Sequence, residues 1–126
     1  MQHLAGKACL ITGGAGSLGE AMARLFVEHG ANVLLADLDR HRLDAVGATL
    51  ALGRVAVVAG DVTNRSDTAR MVDGAIAAFG GLDVVVSNAG NFGTVAPIAD
   101  YPEDVFEAVY RVHVKGAFLL CQAAVP

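Results

Sequence analysis

Residues 11–20, ITGGAGSLGE, place four glycines directly after an apolar run and directly before helix-forming residues. Two spacing patterns fit them: G-x-G-x-x-G beginning at Gly14, and T-G-x-x-x-G-x-G beginning at Thr12, with Ser17 in place of its middle glycine. Glycines at such a turn let backbone N–H groups approach an anion closely, and the positive end of the following helix attracts it. Both patterns predict a phosphate-binding loop; the alternative is a glycine-rich turn without a ligand.

Asp37 ends a second apolar run, eighteen residues after Gly19. A carboxylate at this place accepts hydrogen bonds from the hydroxyls of an adenosine ribose and repels a 2′-phosphate. No lysine or arginine occupies positions 16, 17 or 38, from which a cation would offset that charge, and Arg40 is expected on a solvated helix surface. The pattern favours NAD over NADP. The alternative interpretation of Asp37 is a helix-capping or turn carboxylate.

The elements that must position these residues alternate along the chain. Four nearly continuous apolar runs predict parallel strands covered on both faces: KACLIT (7–12), NVLLAD (32–37), RVAVVA (54–59) and LDVVVS (82–87). Four helical segments are predicted between and after the strands. The first covers 17–29, the second runs from an N-cap at Asp39 to a stop at Gly53, the third ends at Gly80, and the last begins at about Pro102. This alternation predicts one α/β domain over residues 1–126, with a doubly wound parallel sheet.

Composition narrows the class of protein. The 126 residues are 54% hydrophobic with a mean hydropathy of +0.50, yet no apolar run approaches the roughly 18 residues of a membrane span. The net charge of −4 argues against nucleic acid and anionic membranes as partners. No signal-peptide pattern follows Met1, so a cytoplasmic location is predicted. Cys9 and Cys121 lack metal-ligand spacing, so we expect no metal site and two reduced thiols.

Two further motifs follow the third and fourth predicted strands: Gly60-Asp61-Val62-Thr63 and Ser87-Asn88-Ala89-Gly90. Together with Thr12-Gly13…Gly19 and Asp37, in this order, they resemble the short-chain dehydrogenase/reductase family over the whole chain. The resemblance implies a Rossmann-type sheet in strand order 3-2-1-4. It also implies an oxidoreductase that transfers hydride between a nicotinamide cofactor and a small alcohol or carbonyl substrate, and that forms a homo-oligomer.

The resemblance also assigns roles to individual residues. It implies that the loop 13–19 wraps the pyrophosphate, that Asp37 holds the ribose, and that the later motifs hold the adenine and line the cofactor crevice. Two alternatives stay open: Asp61 caps the following helix through Thr63 and Asn64, and residues 88–90 form a plain turn. The cofactor-binding residues implied are Gly13, Gly16, Ser17, Leu18, Gly19, Asp37, Asp61, Val62, Asn88, Ala89 and Gly90.

His113 departs from the family at a position with chemical consequences. The family usually carries an asparagine there, which holds a water in a proton relay. An imidazole both donates and accepts near neutral pH, so one hypothesis makes His113 a catalytic residue of that relay. The other is a histidine packed against the sheet with one satisfied nitrogen. Ser17 and Ser87 also depart from the pattern, and neither change obstructs its loop.

The family's catalytic pair is a tyrosine and a lysine four residues later, with a serine beside them. No Tyr-x-x-x-Lys occurs here, because Tyr110 and Lys115 are five residues apart. The chain is therefore predicted to be the cofactor-binding half of an NAD-dependent oxidoreductase, ending before the catalytic residues and inactive alone. The alternative is a nucleotide-binding module without catalysis. A flavodoxin-like receiver is disfavoured, because Thr12-Gly13 stands where it needs an acidic pair.

The last predicted helix is apolar on more than one side. One stripe faces a core, and further apolar residues make the later turns apolar nearly all round, which predicts burial on every side. The resemblance to the family implies that this helix packs against the sheet and also forms a subunit interface. The stripe comprises Val105, Val109, Val112, Gly116, Leu119 and Ala123, and the further residues are Phe118, Leu120 and Cys121.

Overall fold

The two central strands of the sheet, β1 (Ala8–Thr12) and β2 (Asn32–Asp37), pair in parallel in the computed structural model, which describes residues 3–50 and 53–126. β3 (Val55–Ala59) pairs with β2, and β4 (Val84–Val86) pairs with β1, both in parallel. The order is therefore β3-β2-β1-β4, which confirms the predicted doubly wound, Rossmann-type α/β sheet.

β4 is shorter than predicted, with three residues where the apolar pattern indicated six. At its start, the Asp83 carboxylate accepts a hydrogen bond from the backbone amide of Ala8 in β1 at 2.9 Å. At its end, the amide of Asn88 turns to the hydroxyl of Thr12 at 3.0 Å. At the start of β4 the amide of Asp83 also donates to the carbonyl of Ala8 at 2.8 Å, so side chains supplement the backbone pairing at both ends of the strand. An apolar pattern does not report such side-chain bonds.

The first three helices follow the predicted order and span Ser17–Glu28 (α1), Arg40–Ala48 (α2) and Arg65–Phe79 (α3). The N-cap predicted at Asp39 is confirmed, since its carboxylate accepts from the amide of Arg42 at 3.2 Å. α2 ends before the predicted stop at Gly53, and residues 51–52 of that prediction lie outside the described residues. α3 stops at Gly80 as predicted. Gly80 takes a left-handed conformation (φ 83°), and its amide donates to the carbonyl of Ile76, which ends the helix.

The pattern predicted one helical stretch from about Pro102 onward, but this stretch is not a uniform α-helix. After a 3₁₀ turn at Ile98–Asp100, it consists of α4 (Glu103–Tyr110), a π-helical turn at Arg111–Lys115 and α5 (Gly116–Ala124). A π-helical turn places one extra residue in the winding and is frequent at functional sites. His113 lies in its middle.

Alternate side chains of the sheet enter two separate cores. Cys9, Ile11, Val33 and Leu35 pack with α1 and α2 on one face, whereas Leu10, Leu34 and Ala36 pack with α3 and α5 on the other. β1 is fully buried, and β2 is buried over Val33–Ala36. β3 and β4 are half-buried, contrary to the prediction of full cover, because each lies at an edge of the described sheet. Among the described helices, none is long and apolar enough to cross a membrane.

Candidate functional site

The loops that follow the strands begin at one common edge of the sheet. Thr12 at the end of β1 pairs with Ala36, and Asp37 at the end of β2 pairs with Ala59. The amide of Gly60 donates to the carbonyl of Asp37 at 2.9 Å, which joins the exits of β2 and β3. Because the carboxyl ends of parallel strands meet at one edge, motifs that are far apart in sequence form one site there.

Three glycines of the loop after β1 are required by the fold itself. Gly13 has a φ of +68°, and a Cβ there would lie 2.9 Å from Asn88 Nδ2. A Cβ on Gly14 would lie 2.8 Å from the Cβ of Leu35 on the neighbouring strand, and one on Gly19 would overlap the carbonyl oxygen of Gly13. These contacts fold the loop tightly against β2 and the exit of β4.

Gly16 is different, because no contact with the described residues requires a glycine there. Its backbone is extended (φ −80°, ψ 167°), and a Cβ would meet only the carbonyl oxygen of Gly13, at 3.4 Å. As the N-cap of α1 it offers no side chain, and the first helical bond is that of Glu20 to its carbonyl at 2.9 Å. The amides of Ser17, Leu18 and Gly19 make no hydrogen bond within the described part of the chain. α1 therefore begins with three amides that have no partner among the described residues, an arrangement that suits an anion.

The hydroxyl of Thr12 joins the exit of β4 to the loop after β1. Its oxygen accepts from the amides of Asn88 at 3.0 Å and Ala89 at 3.1 Å, and it donates to the carbonyl of Val86 at 3.4 Å. Thr12 is fully buried, and these three bonds use the whole capacity of a hydroxyl. The Asn88 side chain adds a bond to the carbonyl of Gly13 at 3.4 Å. Residues 88–89 are therefore fixed against the glycine loop and do not form an isolated turn.

Asp37 is half-buried and binds two backbone amides. Its Oδ2 accepts from Ala15 at 3.0 Å, and its Oδ1 accepts from Leu38 at 2.7 Å. The helix-capping part of the alternative is wrong, because Asp39 caps α2. The bond from the next amide, that of Leu38, agrees with the other part, a turn carboxylate. The first of these bonds attaches the carboxylate to the middle of the glycine loop.

Arg42, in the first turn of α2, reaches the same loop residue. Its Nη2 donates to the carbonyl of Ala15 at 3.1 Å. The cation at Arg42 lies outside positions 16, 17, 38 and 40, where the sequence pattern directs attention. Arg40 instead lies on the helix surface, paired with Asp44 at 3.0 Å, as expected.

Asp61 and Val62 lie at the exit of β3. Asp61 Oδ1 accepts from the amide of Thr63 at 2.8 Å and from its hydroxyl at 2.7 Å. The predicted alternative holds in part: Asp61 binds Thr63, and its carbonyl accepts from the amide of Asn64 at 3.0 Å, but the N-cap residue of α3 is Asn64. The other oxygen of Asp61 makes no hydrogen bond within the described residues. Val62 packs on the start of α5, where a Cβ on Gly116 would lie 2.8 Å from its Cγ2.

Asp67 fixes the backbone of this segment from the first turn of α3. Its Oδ2 accepts from the amide of Asp61 at 2.9 Å, and its Oδ1 accepts from Arg70 Nη2 at 2.9 Å. The backbone hydrogen bond, followed by that from Arg70, holds the pKa of Asp67 below its ordinary value of 3.8. Asp67 was not identified from the sequence, since a helical carboxylate usually faces solvent.

His113 is exposed and contacts the loop after β4. Its Nε2 lies 3.0 Å from the amide nitrogen and 3.1 Å from the carbonyl oxygen of Asn91. One imidazole nitrogen either accepts or donates, so one of these contacts is a hydrogen bond at a time. A Cβ on Gly90 would lie 3.0 Å from His113 Cε1, so the ring rests against a glycine. The alternative in which His113 packs against the sheet does not describe this position.

The structure thus brings the sequence-derived residues into three adjoining groups: the glycine loop with Asp37, Asn88 and Ala89, the exit of β3, and Gly90 with His113. Cys9 is buried and Cys121 is exposed, and both are unpaired. Among the described residues, no three histidine, cysteine or acidic side chains form a metal-binding group.

Comparison with known proteins points to one protein family. A family model described as short chain dehydrogenase matches residues 7–126. 3beta-Hydroxysteroid dehydrogenase 2 of Eggerthella lenta is 39% identical over 124 residues, which is 97% of this chain and 48% of that protein. The crystal structure of NAD+-bound xylitol dehydrogenase matches with a TM-score of 0.90 at 33% identity, covering 97% of this chain and 48% of the other. The structure of 3-ketoacyl-(acyl-carrier-protein) reductase from Brucella melitensis complexed with NADH matches with a TM-score of 0.93 at 30% identity, covering 98% and 50%.

The chain belongs to the short-chain dehydrogenase family. It spans about half the length of the curated relatives it matches.

Proposed function

We propose that this chain forms the cofactor-binding part of an NAD-dependent oxidoreductase that acts on a small alcohol or carbonyl compound. Asp37 carries most of this proposal. A carboxylate has about four acceptor positions, and Asp37 uses two of them on the amides of Ala15 and Leu38. Two remain for the hydroxyls of an adenosine ribose. A 2′-phosphate at the same place would bring a second negative charge against the carboxylate.

The glycine loop fits a pyrophosphate. The amides at positions 17–19 have no partner in the described chain, and the helix dipole adds positive potential there. No packing contact explains the missing side chain at Gly16, whereas a ligand approaching the backbone closely would explain it. Leu18 supports this placement, because its side chain is 63% exposed at the same end of α1.

The exits of β3 and β4 fit the two ring systems of a dinucleotide. The unused oxygen of Asp61 would accept from the exocyclic amine of adenine, with Val62 as an apolar neighbour. Asn88, Ala89 and Gly90 would line the nicotinamide side of the crevice. The bound nicotinamide supplies the hydride acceptor or donor. His113 would leave its Nδ1 for a water of the proton relay, since Nε2 is used on Asn91.

A second candidate is a nucleotide-binding module without catalysis. The contacts that support the proposal, at the glycine loop, Asp37 and Asp61, all concern the nucleotide, which this candidate also explains. Reduction of NAD+ by a panel of secondary alcohols distinguishes the two, when measured on residues 1–126 and on the full-length gene product. We expect turnover from the full-length product only. A full-length product that binds NAD+ and oxidises or reduces nothing would favour the module.

Calorimetric titration with NAD+ and NADP+ tests the cofactor assignment. We expect tighter binding of NAD+, and Asp37→Ala should narrow the difference by about 1–3 kcal/mol, the scale of hydrogen bonds to a charged group. Asp44→Ala is the matched control, because Asp44 is an exposed carboxylate on α2 paired with Arg40. Equal affinities in the unmutated protein would contradict the preference for NAD, and binding of neither would contradict the proposed function.

A further inference from the structure

The loop between β4 and α4 is fixed by side chains just after it leaves the cofactor crevice. His113 contacts the backbone of Asn91, and the Asn91 carboxamide accepts from the amide of Gly93 at 2.8 Å. The next amide, that of Thr94, donates to the hydroxyl of Tyr101 at 3.4 Å. Residues 91–94 belong to no helix or strand, so these bonds determine the course of the loop.

Tyr101 meets this loop at a glycine. Gly93 has a φ of +69°, and a Cβ there would lie 2.5 Å from Tyr101 Oη and 2.9 Å from Val109 Cγ2 on α4. The left-handed backbone and the missing side chain both allow this close approach. The tyrosine hydroxyl and the surface of α4 therefore set the position of the loop.

The fixed loop presents apolar side chains to solvent. Phe92 and Val95 are fully exposed, although they flank the two residues that Tyr101 contacts. Exposed apolar side chains that lie together on a soluble protein mark a binding surface. These two lie within five residues of Gly90, which the proposed function places on the nicotinamide side of the crevice.

We propose that Phe92 and Val95 form an apolar wall of the substrate site, and that Tyr101 is the positioning residue that holds this wall beside the crevice. The inference rests on the proposed function and deepens it by naming a substrate class. That class is a secondary alcohol or ketone with a bulky apolar group next to its reacting carbon. The loop supplies no charge to bind a phosphate or a carboxylate, since residues 84–99 contain no acidic or basic side chain.

Two alcohols that differ only in an apolar group test the wall. 1-Cyclohexylethanol and 2-propanol share the reacting carbon and one methyl group, so the ratio of their kcat/KM values reports the larger group. Each alcohol gives a hydride to NAD+ and a proton to water and becomes a ketone, so NADH absorbance follows both reactions. With the full-length gene product, we expect a ratio of at least about tenfold in favour of 1-cyclohexylethanol.

Phe92→Ala should lower this ratio about tenfold, mainly through a higher KM for 1-cyclohexylethanol, because the larger group loses its apolar contact. Ile98→Ala is the matched control and should leave the ratio in place. Ile98 is also almost fully exposed, but it lies in the 3₁₀ turn, beyond the residues that Tyr101 contacts.

Tyr101→Phe removes only the hydroxyl and tests the positioning role. We expect amide hydrogen exchange at Thr94 to rise roughly 2- to 10-fold, because the bond to Tyr101 is lost, and the alcohol ratio to fall with it. Tyr110→Phe is the control, because Tyr110 is an exposed tyrosine of α4 that stacks on Phe106. Faster exchange with an unchanged ratio would contradict the positioning role.

The outcomes separate this inference from the proposed function. A full-length product that binds NAD+ but prefers 2-propanol, or oxidises neither alcohol, overturns the apolar wall alone. An equal fall of the ratio in Phe92→Ala and Ile98→Ala also overturns it, since the loop is then covered by protein and not by substrate. If Phe92→Ala does not fold, Val95→Ala replaces it in the same series. A product that does not bind NAD+ overturns the proposed function and this inference together.

Discussion

His113 connects the π-helical turn to the loop that follows β4. The imidazole extends from the π-helical turn to the backbone of Asn91, just after the exit of β4. The carboxamide of Asn91 in turn accepts from the amide of Gly93 at 2.8 Å, so the loop is built around this residue. An anchor here positions Gly90, which the proposed function places in the cofactor crevice.

Side-chain reach gives a test at His113. The terminal amide of glutamine lies about where Nε2 of histidine lies, whereas that of asparagine corresponds to Nδ1. We therefore expect amide hydrogen exchange at residues 90–94 to stay slow in His113→Gln and to rise in His113→Asn and His113→Leu, because these lose the bond to Asn91. Loss of one such bond should speed local exchange by roughly 2- to 10-fold.

A relay role makes a different prediction for the same variants. If His113 acts only through a water, then His113→Asn retains much of the turnover of the full-length gene product and leaves exchange at residues 90–94 unchanged. Slow exchange in His113→Leu would contradict the anchoring role. Equal turnover in the asparagine and leucine variants would contradict the relay.

Individual residues differ in how far the sequence could predict them. The glycines, Asp37 and Asn88 lie where motif spacing placed them, because each acts within a few residues of a strand end. Thr12 and Arg42 act across long separations. The three bonds of Thr12 exist because β4 ends beside β1, and Arg42 reaches Ala15 across 27 positions of the chain. No local pattern contains that information.

At the scale of elements, α3 supports the exit of β3 through its first turn. The Asp67 carboxylate accepts from the amide of Asp61, which depresses the pKa of Asp67 in the folded protein. A depressed pKa means that ionised Asp67 stabilises the fold above the ordinary carboxyl pKa. That contribution is lost as the pH falls through the lower, folded value.

Asp67→Asn should therefore destabilise the protein most at neutral pH. We expect the difference in free energy of unfolding between the unmutated protein and Asp67→Asn to be largest at neutral pH and to shrink as the pH falls from neutral through the lowered pKa of the folded protein. Urea unfolding across this range measures it. Asp73→Asn on the same helix is the control, since Asp73 is exposed and makes no hydrogen bond among the described residues. A difference independent of pH would contradict the assignment.

Elements were predicted well where periodicity decides them and poorly where side chains interrupt a pattern. The strands β1 to β3 and the stops of α1 and α3 follow apolar runs and glycines. The early end of α2 at Ala48, the short β4 and the π-helical turn do not. The short β4 involves side-chain bonds from Asp83 and Thr12 at its two ends. The π-helical turn is an extra residue in a helix whose apolar spacing continues through it.

At the scale of the whole molecule, one long apolar surface stays uncovered. Every fourth residue along the last helical stretch is large, apolar and about half exposed, opposite the buried Leu119 and Leu120. A groove of about 230 Å³ lies beside its first half, lined by Phe106, Tyr110 and Arg111. The four exposed apolar residues are called the outer stripe below: Phe106 (60% exposed), Tyr110 (55%), Val114 (49%) and Phe118 (57%).

The outer stripe should drive self-association. Burying one such side chain contributes about 1.5–3 kcal/mol, so a second copy that covers the stripe would bind through it. We expect sedimentation velocity to show a dimer or larger species, and Phe118→Glu to shift it towards the monomer. Leu25→Glu is the control, because Leu25 is 51% exposed on α1, outside the stripe. A monomeric unmutated protein would contradict the proposed homo-oligomer.

The central place of β1 has a consequence for synthesis on the ribosome. Pairing of β1 with β2 joins residues that are near in sequence, such as Cys9 and Val33. The other edge of β1 pairs only with residues that are made much later, such as Asp83, which lies 75 positions after Ala8. Long-range parallel pairing is slow, and chains grow at about 5–20 residues per second. That edge of β1 is thus bare for roughly 4–15 seconds in each nascent chain. During this interval the hydroxyl of Thr12 has no partner strand, and any other unpaired strand competes for the same edge.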